Sequence, residues 1–248
     1  MGFSADWLSL REPADMAARD ATLLRQAAEA AGPDPVVLDL GCGTGATVRA
    51  LGPHLPASAK WHLVDNDPDL LPHAAAAAGD GAQTHELDLR RLEDLPLDEV
   101  TIVTASALLD LASEDWVRAL AARLDVPFYA ALSYDGHMGW TPLDPEDAAV
   151  TDTFNADQQT DKGFGPAMGP EAGDRSAAAF EAAGFDVRTA RSPWRLGPDA
   201  AALQAELVRG IAGAAGAGEW GQRRVAAAGT AECRVGHIDL LAIPGGGA

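Results

Sequence analysis

The chain has 248 residues, a hydrophobic fraction of 47 % and a formal net charge of −19. This length suits one large domain, or one domain with an appended cap, able to bury roughly 70–75 % of its unfolded surface. The acidic excess argues for solubility and against phosphate backbones and anionic membranes as partners, because both select a basic surface.

The segment Met1–Arg11 is polar and lacks a signal-peptide core, and no apolar run approaches the roughly 20 residues of a membrane span. Two cysteines, Cys42 and Cys233, make no disulfide framework, which suits a reducing cytoplasm. Pro13 reads as the first position of a helix whose apolar positions Ala14, Ala17, Ala18, Ala21, Leu24 and Ala28 run to the stop signal Gly32-Pro33. Val36–Leu40 reads as a buried strand, followed by a glycine loop and a short helix near Thr47–Leu51. Further strands are expected at Lys60–Asp65, Thr84–Leu89, Val100–Ala105 and Val126–Ser133, with helices starting near Pro68 and after the N-cap Ser113. Strands alternating with helices imply an α/β fold with a mostly parallel sheet covered on both faces. From Trp140 to Pro170 the chain turns irregular, with one helix near Pro145–Gln158. Regular structure resumes with a helix ending at Gly184, a strand at Phe185–Thr189, a helix carrying Leu203, Leu207, Val208 and Ile211, and a last strand at Arg234–Ile243. The tail Gly245–Ala248 is expected to be disordered.

The glycine run Gly41-Cys42-Gly43-Thr44-Gly45-Ala46 fits both G-x-G-x-x-G/A and G-x-G-x-G, so alone it does not name its nucleotide. Asp39 lies in the strand just before it, where negative charge beside a pyrophosphate would be unfavourable. Asp65 ends the second strand, placed to take two ribose hydroxyls, and Asp88-Leu89 ends the third, offering an acceptor and an apolar wall to an adenine. S-adenosylmethionine combines a ribose, an adenine and a cationic amino-acid tail without phosphate.

With LDLGCGTG (Leu38–Gly45), LVDNDP (Leu63–Pro68), LDL (Leu87–Leu89) and TIVTASALLDL (Thr101–Leu111) in this order, the sequence resembles the class I S-adenosylmethionine-dependent methyltransferases, of the bacterial small-molecule kind. The resemblance implies a Rossmann-like methyltransferase fold with a seven-stranded, mostly parallel sheet, one antiparallel strand and helices on both faces. It implies that Asp39, Gly41, Cys42, Gly43, Gly45, Asp65, Asn66, Asp88, Leu89, Ala105 and Ser106 bind the cofactor S-adenosylmethionine. It also implies a single domain over 1–248: a helical cap (1–33), a cofactor-binding half (34–134), a substrate or lid insertion (135–170) and a C-terminal half (171–244). The runs Thr160–Pro170 and Arg234–Ala242 look like those of bacterial methyltransferases and add no substrate.

Methyl transfer needs alignment, and a base only where the acceptor must lose a proton. Tyr134, Asp135 and His137, leaving the fifth strand, are the candidate acceptor-site residues, with an ordinary turn as the other reading. Asn155, Gln158, Gln159, Asp161, Lys162 and Phe164-Gly165-Pro166 form either a lid or a solvated loop. Arg11 and Arg19 read more readily as surface residues than as partners of the cofactor carboxylate, Asp110 as structural, and Cys42 as packed. The histidines show no metal-ligand spacing. Thr104-Ala105-Ser106-Ala107 lacks the Asn/Asp-Pro-Pro-aromatic run of nucleobase amine methyltransferases, so a small-molecule acceptor is expected, with oxygen or nitrogen favoured as the acceptor atom. The alternatives are a nicotinamide-dependent oxidoreductase on the same loop and a non-catalytic S-adenosylmethionine-binding protein. Oligomeric state is left open.

Overall fold

The computed structural model describes residues 4–246. Five parallel strands form its centre: β1 (Val36–Leu40), β2 (Lys60–Asp65), β3 (Ala82–Glu86), β4 (Ile102–Ser106) and β5 (Phe128–Thr141). Then come β6 (Phe185–Arg191), β7 (Trp194–Leu196) and β8 (Glu232–Pro244). The sheet is eight-stranded, in the order β3-β2-β1-β4-β5-β8-β6, with β8 antiparallel to both neighbours and β7 paired to β8 beside β6. The expected seven strands are therefore present, and β7 adds an eighth. It was missed because three residues, Trp194-Arg195-Leu196, show too little alternation to read as a strand.

The amino-terminal helix differs from expectation. Helix α1 spans Ala5–Ala18 and carries Pro13 inside it; Ser4 Oγ caps it by accepting from Trp7 N at 3.2 Å. A second helix, α2 (Ala21–Ala30), starts after Asp20, whose carboxylate accepts from Thr22 N and Leu23 N at 2.9 and 2.8 Å. Such a cap is worth about 1 kcal/mol, and here it decides the break that the alanine periodicity concealed. The other helices are α3 (Ala46–Leu51), α4 (Leu71–Ala78), α5 (Glu114–Arg123), α6 (Asp147–Gln158), α7 (Ala172–Ala182), α8 (Ala201–Ala215) and α9 (Gly218–Ala227). Strand β3 ends at Glu86, so Asp88 and Leu89 stand in the following loop.

The sheet is covered on both faces. Leu38, Leu40, Val103, Ala105, Phe128 and Leu240 pack with Trp116, Val117 and Leu120 of α5 and Phe180 of α7. Val37, Leu63, Ile102, Tyr129 and Leu241 pack with Leu23, Leu24 and Ala27 of α2 and Val48 and Leu51 of α3.

Strand β5 does not stop at Ser133. It shifts register between Ala130 and Ser133, where Leu132 has φ 60°, and again between Tyr134 and Met138, then runs on paired with β8 to Thr141. Bulges of this kind bend a strand and increase its twist. Asp239 of β8 holds the first bulge: it accepts from Leu132 N at 2.8 Å, Ser192 Oγ at 2.6 Å and Asp20 N at 2.8 Å, tying β5, the β6–β7 junction and the start of α2 together. The extension of β5, β7 and β8 carries its own core, with Tyr134, Trp140, Trp194, Leu196, Cys233 and Val235 packed on Leu203, Val208, Ile211 and Trp220. The segment 135–170 thus begins as strand and not as loop. At the carboxyl end Gly245 N donates to Gly184 O at 2.9 Å, so the expected disorder does not hold there; the rest of that expectation, beyond Gly246, lies outside the described residues.

Candidate functional site

A cleft of about 290 Å³ opens at the carboxyl ends of β1, β2 and β4. Ligands of open parallel sheets bind at this edge because the loops there are free to diverge. Gly41 and Gly43 of the β1–α3 loop, Asp65 and Asn66 at the end of β2, Asp88, Leu89 and Arg90 after β3, and Ser106, Ala107, Leu108 and Leu111 after β4 line it. Leu8 and Arg11 of α1 and Lys162, Gly163 and Phe164 of the insertion complete the walls.

The glycine loop is built from left-handed residues, with φ 64° at Gly41, 52° at Gly43 and 88° at Gly45. Their jobs differ. A Cβ on Gly45 would lie 3.1 Å from both Ala74 Cα and Ala77 Cβ, so that glycine seats the loop on α4, while Gly41 and Gly43 face the cleft. Cys42 turns its side chain into the core under the loop, and burial raises its thiol pKa. Ala105 is likewise buried in the core. Of the residues nominated from sequence, Gly41, Gly43, Asp65, Asn66, Asp88, Leu89 and Ser106 therefore line the cleft, and Asp39, Cys42, Gly45 and Ala105 stand behind its wall.

The charges around the cleft are tied down. Asp65 accepts from Gly43 N at 2.8 Å and from Asp67 N at 3.0 Å. Asp88 is closed on the Arg90 guanidinium, which with the Arg90 amide holds its carboxyl down to about 2. Lys162 pairs with Asp157 at 2.8 Å and Arg11 with Asp15 at 2.8 Å. Each cationic side chain lining the cleft thus has a carboxylate partner, and the loop amide of Gly43 is taken by Asp65.

Behind the glycine loop lies a second polar group. Thr104 Oγ1 donates to Asp39 Oδ1 at 2.7 Å, but Asp39 Oδ2 is buried without a partner, and burial pushes this carboxyl up to about 6. Arg19, buried at the end of α1, donates from Nη2 to Ser106 Oγ at 2.8 Å, while its Nε and Nη1 have no partner.

The insertion approaches the cleft through a tight turn. Asp161 Oδ1 accepts from Gly163 N at 2.7 Å and Gly165 N at 3.1 Å, and Phe164 stands edge-on to Trp116 with centroids 5.4 Å apart.

Sequence reasoning gave no place here to Leu8, Arg90, Leu108 or Leu111 and put Arg11 at the surface. The signals were present: Arg90 directly follows Leu87-Asp88-Leu89, and Arg11 precedes Asp15 by one helical turn. Asp135 and His137 are not brought to the cleft. They line a separate cavity of about 240 Å³ with Arg191, Arg234, Gly236 and His237, because continued pairing of β5 aims them at the other face of the extension. Asp135 accepts from His137 N at 3.0 Å and from its ring at 3.1 Å. Tyr134 faces inward and donates from its hydroxyl to Asn155 Oδ1 at 2.7 Å.

The family model described as a methyltransferase domain matches residues 37–126. Over that segment, about a third of the chain, the protein is similar to methyltransferase domains.

No curated protein matches this chain. Among solved structures it is similar in fold to the YcgJ protein of Bacillus subtilis, with a TM-score of 0.57, 18 % identity, and coverage of 91 % of this chain and 98 % of that one. The cyclopropane synthase MmaA2 of Mycobacterium tuberculosis gives 0.55 at 13 % identity, covering 97 % and 94 %. A geranyl diphosphate methyltransferase in complex with its cofactor gives 0.52 at 13 % identity, covering 90 % and 83 %.

The residues present fit S-adenosylmethionine. The chain has unpartnered buried donors on Arg19 and an unpartnered buried acceptor on Asp39, the complement of a carboxylate and an ammonium, behind a cleft lined by Asp65, Asp88 and Leu89. Among the described residues no helix is long and apolar enough to cross a membrane.

Proposed function

We propose that the protein transfers the methyl group of S-adenosylmethionine to an oxygen or nitrogen of a small-molecule acceptor. The observation that carries this reading is the state of the cations around the cleft: Arg11, Arg90 and Lys162 all lie against carboxylates, and Asp65 occupies the Gly43 amide. A pyrophosphate would meet paired cations and an acidic loop, whereas a sulfonium with a ribose meets acceptors. The nicotinamide reading of the glycine loop is correspondingly disfavoured.

In this reading Gly41 and Gly43 let the backbone approach the amino-acid and ribose portions, with Gly45 and Cys42 shaping the loop from behind. Asp65, with Asn66 beside it, accepts from the ribose, and Asp88 and Leu89 hold the adenine. Asp39, Arg19, Ala105 and Ser106 flank the methionine end. The bound cofactor supplies an electrophilic methyl group on sulfur. The chain's own residues align and exclude water: Leu8 and Arg11 close one side and Phe164 the other. We read the whole chain as a single domain, with α1 and α2 as its cap and the segment ending at Pro170 as its lid. The two free cysteines, both buried, suit a reducing cytoplasm.

Titration calorimetry with S-adenosylhomocysteine and with NAD tests this reading. Micromolar or tighter binding of the first and none of the second is expected; the reverse would overturn it. A protein that only stores the cofactor would bind it equally well, yet produce no S-adenosylhomocysteine from S-adenosylmethionine with any acceptor.

A further inference from the structure

Behind the Arg11 end of the cleft, three buried polar atoms lack partners: Trp7 Nε1 on α1, Asp110 Oδ1 in the turn after β4, and Nδ1 of His237 on β8, a residue that also lines the cavity of Asp135 and His137. An unmet buried polar atom costs about 1–3 kcal/mol, and native chains retain one chiefly where a ligand or water completes it. These atoms belong to one neighbourhood. Arg11, one helical turn after Trp7, lies over the Trp194 ring at 5.0 Å, and that ring is 5.1 Å from His237. His237 meets Tyr134 at 6.5 Å, and Tyr134 stands edge-on to Phe154 at 5.8 Å. Asp110 sits between the cleft-lining Leu108 and Leu111, beside the Tyr134 amide and within the field of Arg11.

The charges here do not cancel. Arg11 is held at two points by Asp15, at 2.8 and 3.1 Å, and Asp15 also accepts from Trp194 Nε1 at 2.9 Å. Burial pushes the His237 imidazole down to about 3, so it is neutral. Burial pushes the Asp110 carboxyl up to about 6, so above that pH it is an anion whose Oδ1 has no donor. Aromatic walls and a buried carboxylate oxygen without a donor attract a cation.

We infer that this corner of the cleft is the acceptor site, that the acceptor is a small amine, and that Asp110 receives its proton. The inference rests on the cofactor reading above. The amine enters as its ammonium form and donates to Asp110 Oδ1. The proton passes to that oxygen and leaves the nitrogen lone pair free. That pair forms the nitrogen–carbon bond as the sulfur–carbon bond breaks, with the sulfur keeping the bonding pair. The product leaves as a methylated ammonium, and Asp110 returns its proton to solvent.

Benzylamine, benzyl alcohol and benzoate, titrated into the protein loaded with S-adenosylhomocysteine at pH 7.5 and followed by ligand-observed NMR, test this. Benzylamine should bind at least about ten-fold more tightly than benzyl alcohol, equivalent to about 1.4 kcal/mol, and benzoate should not bind. Asp110→Asn should remove the amine preference and leave S-adenosylhomocysteine affinity within about two-fold. In the wild type, benzylamine affinity should fall as pH drops through about 6, where Asp110 takes up a proton while His237 and Tyr134 stay neutral. Absence of binding by all three probes at about 10 mM, or a preference that persists in Asp110→Asn and at pH 5, overturns the inference. Loss of S-adenosylhomocysteine binding in the wild type takes the cofactor reading down with it; intact binding without an amine preference removes this inference alone.

Discussion

At the scale of single residues, Asp65 has two jobs at once. Its carboxylate anchors the Gly43 amide, and in the proposed complex it also takes the ribose. Asp65→Ala should therefore weaken S-adenosylhomocysteine binding by about 1–3 kcal/mol, the cost of hydrogen bonds to a charged group. Calorimetry that finds the affinity unchanged would remove the ribose from Asp65. Sequence spacing made this residue legible, because an acid at the end of the second strand is set by chain order alone. Arg19 was not legible: its approach to Ser106 spans 87 residues of sequence, and an arginine after an alanine-rich helix carries no mark of burial.

At the scale of elements, the extension formed by β5, β7 and β8 depends on a buried ion pair at its outer end. Asp147, the first residue of α6, accepts from Trp220 Nε1 at 2.9 Å and from the Arg224 guanidinium, whose Nη1 donates to Pro142 O at 2.8 Å. Arg224 also stacks against Trp140 at 5.3 Å. Removing one partner leaves the other charge buried, a loss of about 3–5 kcal/mol. Asp147→Ala should lower the melting temperature and speed amide exchange in α6 and α9 more than in β1 and β4; uniform exchange would show that the pair does not govern the extension. Of these elements the sequence foretold α6, as one helix near Pro145–Gln158, and α8 through the apolar spacing of Leu203, Leu207, Val208 and Ile211. It gave no sign of α9, Gly218–Ala227, which has few apolar residues and forms against α8, nor of the continuation of β5, which β8 imposes.

At the scale of the molecule, buried titratable groups set the pH response. Asp39 and Asp110, raised to about 6 by burial, bind protons more readily folded than unfolded, so the stability they contribute at low pH is lost as pH rises from about 4 to about 6. His237, lowered to about 3, acts oppositely: the unfolded chain takes up its proton first, and stability is lost as pH falls below about 6.5. Asp110→Asn should accordingly raise thermal stability at pH 8, by up to about 3 kcal/mol for a shift near two units, with the gain vanishing by about pH 4. A variant no more stable than wild type at pH 8 would show that Asp110 is not strained by burial. The sequence by itself determined the parallel strands, their ends and the glycine loop between them, because each is written in a few contiguous residues whose spacing fixes the backbone. Only the tertiary structure decided which nominated side chains meet: Asp135 and His137 part from the cleft because two bulges and the pairing with β8 set the face they occupy. Arg11, Asp110, Tyr134 and His237 come together because α1, the turn after β4, β5 and β8 pack at one edge of the sheet. Contacts between residues so far apart in sequence follow from the register and burial of whole elements, which no local pattern encodes.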